Sequence, residues 1–210
     1  MKLRWKIAQA AEIRWWRQYL KGKSIPDYKH NKAQYWHRVL ADLAPFLLPY
    51  GKILDAGCGP AGIFMVLPDK EVKAIDPLLD QYEYLPHFSK TDYPWVSFEN
   101  ISLESFSTNQ KYDTIFCLNA INHVDDIQKS LDVLFQTIKP GGQLIISTDA
   151  HKYKWLKKIF QWLPGDILHP HQYDTKDYTQ MLTSRGGNII QTITSKPGNI
   201  FDYIIFVLRV

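Results

Sequence analysis

Apolar residues in the first 45 positions recur every three or four places, whereas beyond position 50 they gather into short runs divided by glycine, proline and acids. The early spacing is helical. Trp5, Ala8, Ala11, Trp15 and Tyr19 form a stripe, widened by Trp16 and Leu20, over a predicted helix at 3–20. Lys21-Gly22-Lys23-Ser24-Ile25-Pro26-Asp27 reads as a break. A second helix is predicted from Lys32 to Ala44, with Tyr35, Trp36, Val39, Leu40 and Leu43 on one side and Pro45 at its end.

The later runs predict seven strands, at 53–56, 72–75, 95–99, 114–118, 143–147, 189–194 and 200–208. Helical stretches alternate with the first five. Pro77 to Tyr84 starts one. Asp125 or Asp126 caps another, which buries Ile127, Leu131, Leu134 and Phe135 and stops at Lys139-Pro140-Gly141-Gly142. Thr175 caps the last, ended by Gly186-Gly187. Such alternation predicts an α/β fold.

One corner carries chemistry. The strand Ile53-Leu54-Asp55-Ala56 runs into Gly57-Cys58-Gly59-Pro60-Ala61-Gly62. Glycine accepts positive φ and lets a ligand approach, because no Cβ stands in the way. Gly62 to Leu67 is expected to start a helix whose free N–H groups face that ligand. The glycine spacing fits G-x-G-x-x-G, the dinucleotide fingerprint. Two carboxylates turn the reading. Asp55 stands where dinucleotide folds usually carry an apolar residue, and an acid there suits a ligand with positive charge or an amino group. Asp76 ends the second strand, where it could accept hydrogen bonds from both ribose hydroxyls.

With Leu54-Asp55-Ala56-Gly57-Cys58-Gly59, Ala74-Ile75-Asp76, Tyr112-Asp113-Thr114-Ile115-Phe116 and Lys139-Pro140-Gly141-Gly142 in this order, residues 50–150 resemble the class I S-adenosylmethionine-dependent methyltransferases. The resemblance implies a three-layer, Rossmann-like, seven-stranded α/β sheet whose last strand runs antiparallel between its neighbours. It adds N-terminal helices and an insert after strand five. It also implies S-adenosyl-L-methionine as cofactor. Asp55 would position the methionine end, while Gly57, Cys58 and Gly59 pass beside the cofactor. Asp76 would hold the ribose, Pro77 floor the adenine, Asn100 and Ile101 contact its edge, and Asn119 meet the methionine portion. Asp55 as a structural acid capping the glycine turn, and Asp76 as a surface acid, are the plainer alternatives. One domain over 1–210 is expected: an N-terminal helical cap at 1–48, a cofactor-binding core at 50–149, a lid insert at 150–174, then the last helix and closing strands at 175–210.

Composition narrows the class. A chain of 210 residues, 45% hydrophobic and 22% charged, suits a single soluble globular domain. No apolar run approaches the ~20 residues of a membrane helix, and the first six residues lack the apolar core of a signal peptide. A cytoplasmic protein off the membrane is expected. Cys58 and Cys117 support neither a disulfide framework nor a C-x-x-C metal site. The net charge of +4 hides an asymmetry, because residues 1–40 hold ten Lys and Arg against only Glu12 and Asp27. That basic, aromatic segment reads as a lid, as a surface for a phosphate-bearing partner, or as ordinary helix packing with a solvated side.

Methyl transfer asks for position and electrostatics more than for covalent machinery. If the acceptor is a hydroxyl or an activated carbon, a base must take its proton. His123, on the turn after strand four, is the first candidate. His169 and His171, on the aromatic insert, are the second. Their His-x-His spacing finds no further ligand set, so no metal is expected. The expected acceptor is a small molecule, with RNA or protein as the alternative. The turn Asn119-Ala120-Ile121-Asn122 is not the Asn-Pro-Pro-Tyr type carried by many methylators of base amino groups. A nicotinamide oxidoreductase and a catalytically silent cofactor-binding protein are the readings from other classes. The oligomeric state is not legible.

Overall fold

The structure, a computed structural model, describes residues 3–151, 173–196, 198 and 201–210. The expected insert, with His169 and His171, lies almost wholly outside them.

Two helices open the chain, α1 (Leu3–Leu20) and α2 (Ile25–Leu43). α2 starts at Ile25 rather than at Lys32. Ser24 Oγ accepts the Asp27 N–H, and Pro26 occupies the first turn, where its missing N–H costs no hydrogen bond. The proline read as a break is therefore a start signal. The inward face of α1 also differs from the expected stripe. Trp5, Ile13 and Leu20 are buried, whereas Trp15 is 49% exposed and stacks on Tyr19 with centroids 4.8 Å apart.

The sheet contains β1 (Ile53–Ala56), β2 (Val72–Ile75), β3 (Val96–Glu99), β4 (Tyr112–Leu118), β5 (Ile138–His151), β6 (Asn188–Lys196) and β7 (Phe201–Arg209). Their order is β3-β2-β1-β4-β5-β7-β6. The first five pair in parallel, and β7 lies antiparallel between β5 and β6. Among the described residues three further helices accompany the strands, α3 (Leu79–Tyr82), α4 (Ile127–Thr137) and α5 (Thr175–Thr183).

Several boundaries depart from expectation for local reasons. The helix expected after Gly62 is only a 3-10 turn, Ile63–Val66. Pro68 follows at once and drives Leu67 out of the α region, to φ −123° and ψ 48°. α3 is likewise one turn. β5 begins at Ile138 instead of Gln143, because Ile138 pairs with Tyr112 and an irregularity absorbs the residues to Gly142. Asp174 rather than Thr175 caps α5, in a reciprocal capping box with Asp177.

Side-chain alternation along the strands divides the core between two faces. In β4, Phe116 and Leu118 pack with residues of α1, α2 and α3, while Ile115 and Cys117 pack with residues of α4 and α5. The result is three layers. Both cysteines are free and buried, and burial raises both thiols, Cys117 to about 12. They are packing groups rather than nucleophiles. Among the described residues no helix is long and apolar enough to cross a membrane.

Candidate active site

Open α/β sheets bind ligands outside the carboxyl ends of their strands. Here the ends of β1, β2 and β4 meet. Gly57 turns the chain at φ +72°, and its N–H and that of Cys58 bond to Ile75 O at 2.8 and 3.1 Å. A Cβ on Gly57 would overlap that of Ala120, so this loop sits tight against the turn after β4. Gly59, at φ +57°, is the opposite case: a Cβ there would meet nothing within 4 Å. The Gly59 N–H donates to Asp76 Oδ2 at 3.0 Å, and the Leu78 N–H donates to Oδ1 at 2.8 Å. Each carboxylate oxygen accepts one backbone donor and keeps a lone pair for a ligand.

Asp55 accounts for the N–H groups that were expected to face the ligand. It is 2% exposed, and its Oδ2 accepts from Phe64 N–H at 3.2 Å, with the Ile63 N–H bonded to the same carboxyl group. The turn after Gly62 is thus capped from inside the protein. Donors that a pyrophosphate needs at such a turn are already used, which argues against a dinucleotide.

Burial pushes Asp55 and Asp76 up to about 7, against the pull of the backbone N–H groups they accept. For Asp76 the charge of Glu12, on α1, adds to the rise. Three acids around one corner set up a field that a positively charged ligand relieves.

A cavity of about 900 Å³ opens over this corner. Gly57, Cys58, Gly59, Asp76, Pro77, Asn119 and His123 line it. Asp55, Asn100 and Ile101 are not among its lining residues. Asn100 Oδ1 instead accepts the Asp80 N–H at 3.3 Å. His169 and His171 lie outside the described residues.

The facing wall comes from α1 and α2, through Trp5, Glu12, Trp16, Tyr35, Trp36 and Val39. Tyr82 OH donates to Glu12 Oε1 at 2.8 Å, and Trp36 Nε1 donates to Ala61 O at 2.8 Å, fastening α2 to the glycine loop. The N-terminal helices therefore pack on the core and wall one side of the cavity.

Asn119 is the one non-glycine residue with positive φ (54°) among those described. Its N–H is held by Ser147, to the carbonyl at 3.1 Å and to Oγ at 2.9 Å. A strained residue that its surroundings hold in place is typical of functional turns. Ser147 Oγ lies 2.5 Å from Tyr203 OH, which also bonds to Tyr35. A hydrogen-bonded chain thus runs from the β4 turn through β5 and β7 to α2.

Glu12, Tyr35, Asp149, Ser195 and Tyr203 also line the cavity, and the sequence did not point to them as site residues. Glu12 carried a signal, being one of two acids in a basic stretch. The others sit on α2 and the late strands, where local pattern does not separate a lining position from any other.

A seven-stranded sheet of this order, with an acid at the end of β2 and the Ile63 and Phe64 N–H groups bonded to Asp55, is the architecture of the class I S-adenosylmethionine-dependent methyltransferases. Comparison with known proteins agrees. A family model described as a methyltransferase domain matches residues 28–192, and the chain belongs to this family. The ubiquinone biosynthesis O-methyltransferase of Rickettsia canadensis is 35% identical over 148 residues, covering 64% of this chain and 61% of that protein. The tRNA U34 carboxymethyltransferase of Campylobacter curvus is 33% identical over 115 residues, covering 50% and 37%. The chain spans about half the length of the curated relatives it matches. Among solved structures, magnesium protoporphyrin IX methyltransferase from Synechocystis, with bound S-adenosylhomocysteine, aligns with a TM-score of 0.62 at 23% identity over 95% of this chain and 94% of that one. The 1,6-didemethyltoxoflavin-N1-methyltransferase of Burkholderia thailandensis aligns with a TM-score of 0.64 at 14% identity over 99% and 86%. At these identities the structures speak for the fold.

Proposed function

We propose that this chain transfers a methyl group from S-adenosyl-L-methionine to a small planar acceptor held between the glycine corner and the aromatic wall. The cavity carries this reading, because one side suits a charged nucleoside and the other suits a flat apolar molecule. The open space over Gly59, the spare lone pairs of Asp76 and the acidic field fit the cofactor. When bound, that cofactor supplies a methyl group already activated on a sulfonium.

The protein's residues then bind, orient and exclude water. Gly57, Cys58 and Gly59 allow close approach, Asp76 accepts from the ribose hydroxyls, and Pro77 lies on the adenine side. Ser102 and Leu103, which line the cavity, serve the adenine edge more directly than Asn100 and Ile101. Asn119 faces the methionine portion. Asp55 is a positioning residue, acting through the turn it caps. His123 is the base for a hydroxyl acceptor, since it is among the residues lining the cavity on the turn after β4. Residues 1–48 close a site built on the 50–149 core.

The names of the ubiquinone biosynthesis relatives support a small acceptor methylated on oxygen. The tRNA relative, with the basic charge of residues 1–40, supports RNA as the second reading. Calorimetry with S-adenosylhomocysteine and with NADH tests the cofactor, the first expected to bind and the second not. Transfer of tritium from labelled S-adenosylmethionine to a small-molecule extract or to bulk RNA then separates the acceptors. Label found only in RNA would overturn the small-molecule reading.

A further inference from the structure

Lys32 differs from the other cations of the N-terminal helices. Its ammonium lies among three rings, 5.8 Å from the centroid of Trp16, 6.0 Å from Tyr19 and 5.8 Å from Tyr28. Among the described residues it makes no hydrogen bond and no ion pair. Burial lowers its pKa, against the pull of Tyr19. Ring faces compensate part of the cost of desolvating an ammonium, but they do not replace an anion.

The residue also joins two spaces. Lys32 and Tyr35 line both the active-site cavity and a second cavity of about 500 Å³, with Tyr19, Lys23, Tyr28 and Asn31 on its walls. Lys23 Nζ lies 3.6 Å above the Tyr19 ring. Tyr28 is 6% exposed, and its hydroxyl is buried with no hydrogen-bond partner among the described residues. Asp27 is the one carboxylate on this lining, and its side chain is exposed. Two ammonium groups and a phenol are therefore gathered on aromatic faces with a single exposed acid beside them. Among the described residues neither ammonium is hydrogen-bonded or ion-paired to a carboxylate, and a charged acceptor is the partner that each would take.

We propose that this second cavity is an anion subsite, in which Lys32 seats a carboxylate carried by the methyl acceptor, so that the chain selects planar aromatic acids over their neutral counterparts. This rests on the small-acceptor reading above. Lys32 is then a specificity residue, and the rings around it both hold the ammonium and flank the acceptor.

The test compares 3,4-dihydroxybenzoate with catechol, which lacks the carboxylate. Protein saturated with S-adenosylhomocysteine is titrated with each by calorimetry. The acid is expected to bind at least about tenfold more tightly than catechol. Lys32→Met is expected to abolish that preference while leaving catechol and S-adenosylhomocysteine affinities unchanged, and Lys32→Arg to keep most of it. Lys23→Met, at an exposed position, is expected to weaken the acid alone. Equal binding of the two probes by the wild type overturns the proposal, as does a preference that survives Lys32→Met. A parallel loss of S-adenosylhomocysteine affinity in Lys32→Met overturns it too, by placing the ammonium on the cofactor. Failure of the wild type to bind S-adenosylhomocysteine strikes instead at the underlying reading of the site, and this proposal falls with it.

Discussion

Replacing Asp76 by asparagine separates a cofactor contact from a loop brace. The two carboxylate oxygens accept the Leu78 N–H at 2.8 Å and the Gly59 N–H at 3.0 Å. Asparagine keeps one of these bonds through its carbonyl oxygen. Its amide NH₂ then faces the other backbone N–H, donor against donor, and Gly59 must shift. On the ligand side a charged acceptor becomes a neutral one. Hydrogen bonds to charged groups contribute about 1.5–3 kcal/mol, and the remaining carbonyl recovers part of that. The expected loss of affinity for S-adenosylhomocysteine is about 1–3 kcal/mol, or roughly 5- to 150-fold. Calorimetry at pH 8, above the raised pKa of about 7, measures the wild type with Asp76 ionised. At pH 5.5 its carboxyl group is protonated and the gap between the two proteins narrows. A folded variant that binds within twofold of the wild type at pH 8 would refute the reasoning and leave Asp76 as a brace for Gly59 and Leu78.

Stability carries the same titration with the opposite sign. The raised pKa values of Asp55 and Asp76 mean that the folded chain holds protons which the unfolded chain releases above its ordinary value of 3.8. Their contribution to stability therefore falls as pH rises from about 4 to about 7 and is flat beyond. Asp76→Asn should gain stability relative to the wild type between pH 5 and pH 8 in urea unfolding, and a constant difference would rule this out. The two loop glycines should fail differently. Gly57→Ala, strained by φ +72° and by overlap with Ala120, should lower the melting temperature by several degrees. Gly59→Ala, strained only by φ +57°, should lose more S-adenosylhomocysteine affinity than stability, read by calorimetry and thermal melting of the same samples. Trp36→Phe removes the bond to Ala61 O, worth about 1 kcal/mol. Its loss should appear as faster hydrogen exchange at the Gly59, Ala61 and Gly62 amides, and unchanged exchange would show that α2 does not secure the loop.

Half of the site was legible because half of it is local. Asp55, Gly57 and Gly59 lie within five positions of one another, and Asp76 ends the next strand. Spacing alone brings such residues to one sheet edge. The facing wall is tertiary. Glu12, Tyr35, Trp36 and Tyr203 reach the cavity through the docking of α1 and α2 and through the antiparallel insertion of β7, and no local pattern encodes that meeting. The cage around Lys32 shows the limit well, because Trp16, Tyr19 and Tyr28 were visible as an aromatic and basic stretch while their convergence on one ammonium was not. The boundary errors share a different cause. Prolines read locally as breakers, yet Pro26 opens a helix, Pro68 limits the preceding segment to a single 3-10 turn, and Pro140 lies in an irregular strand start. Proline fixes its own φ and restricts its predecessor. Whether that starts, stops or bends an element depends on the neighbours that accept the hydrogen bonds left over. At Ser24 the cap exists, at Leu67 no continuation does, and at Ile138 a partner strand is waiting.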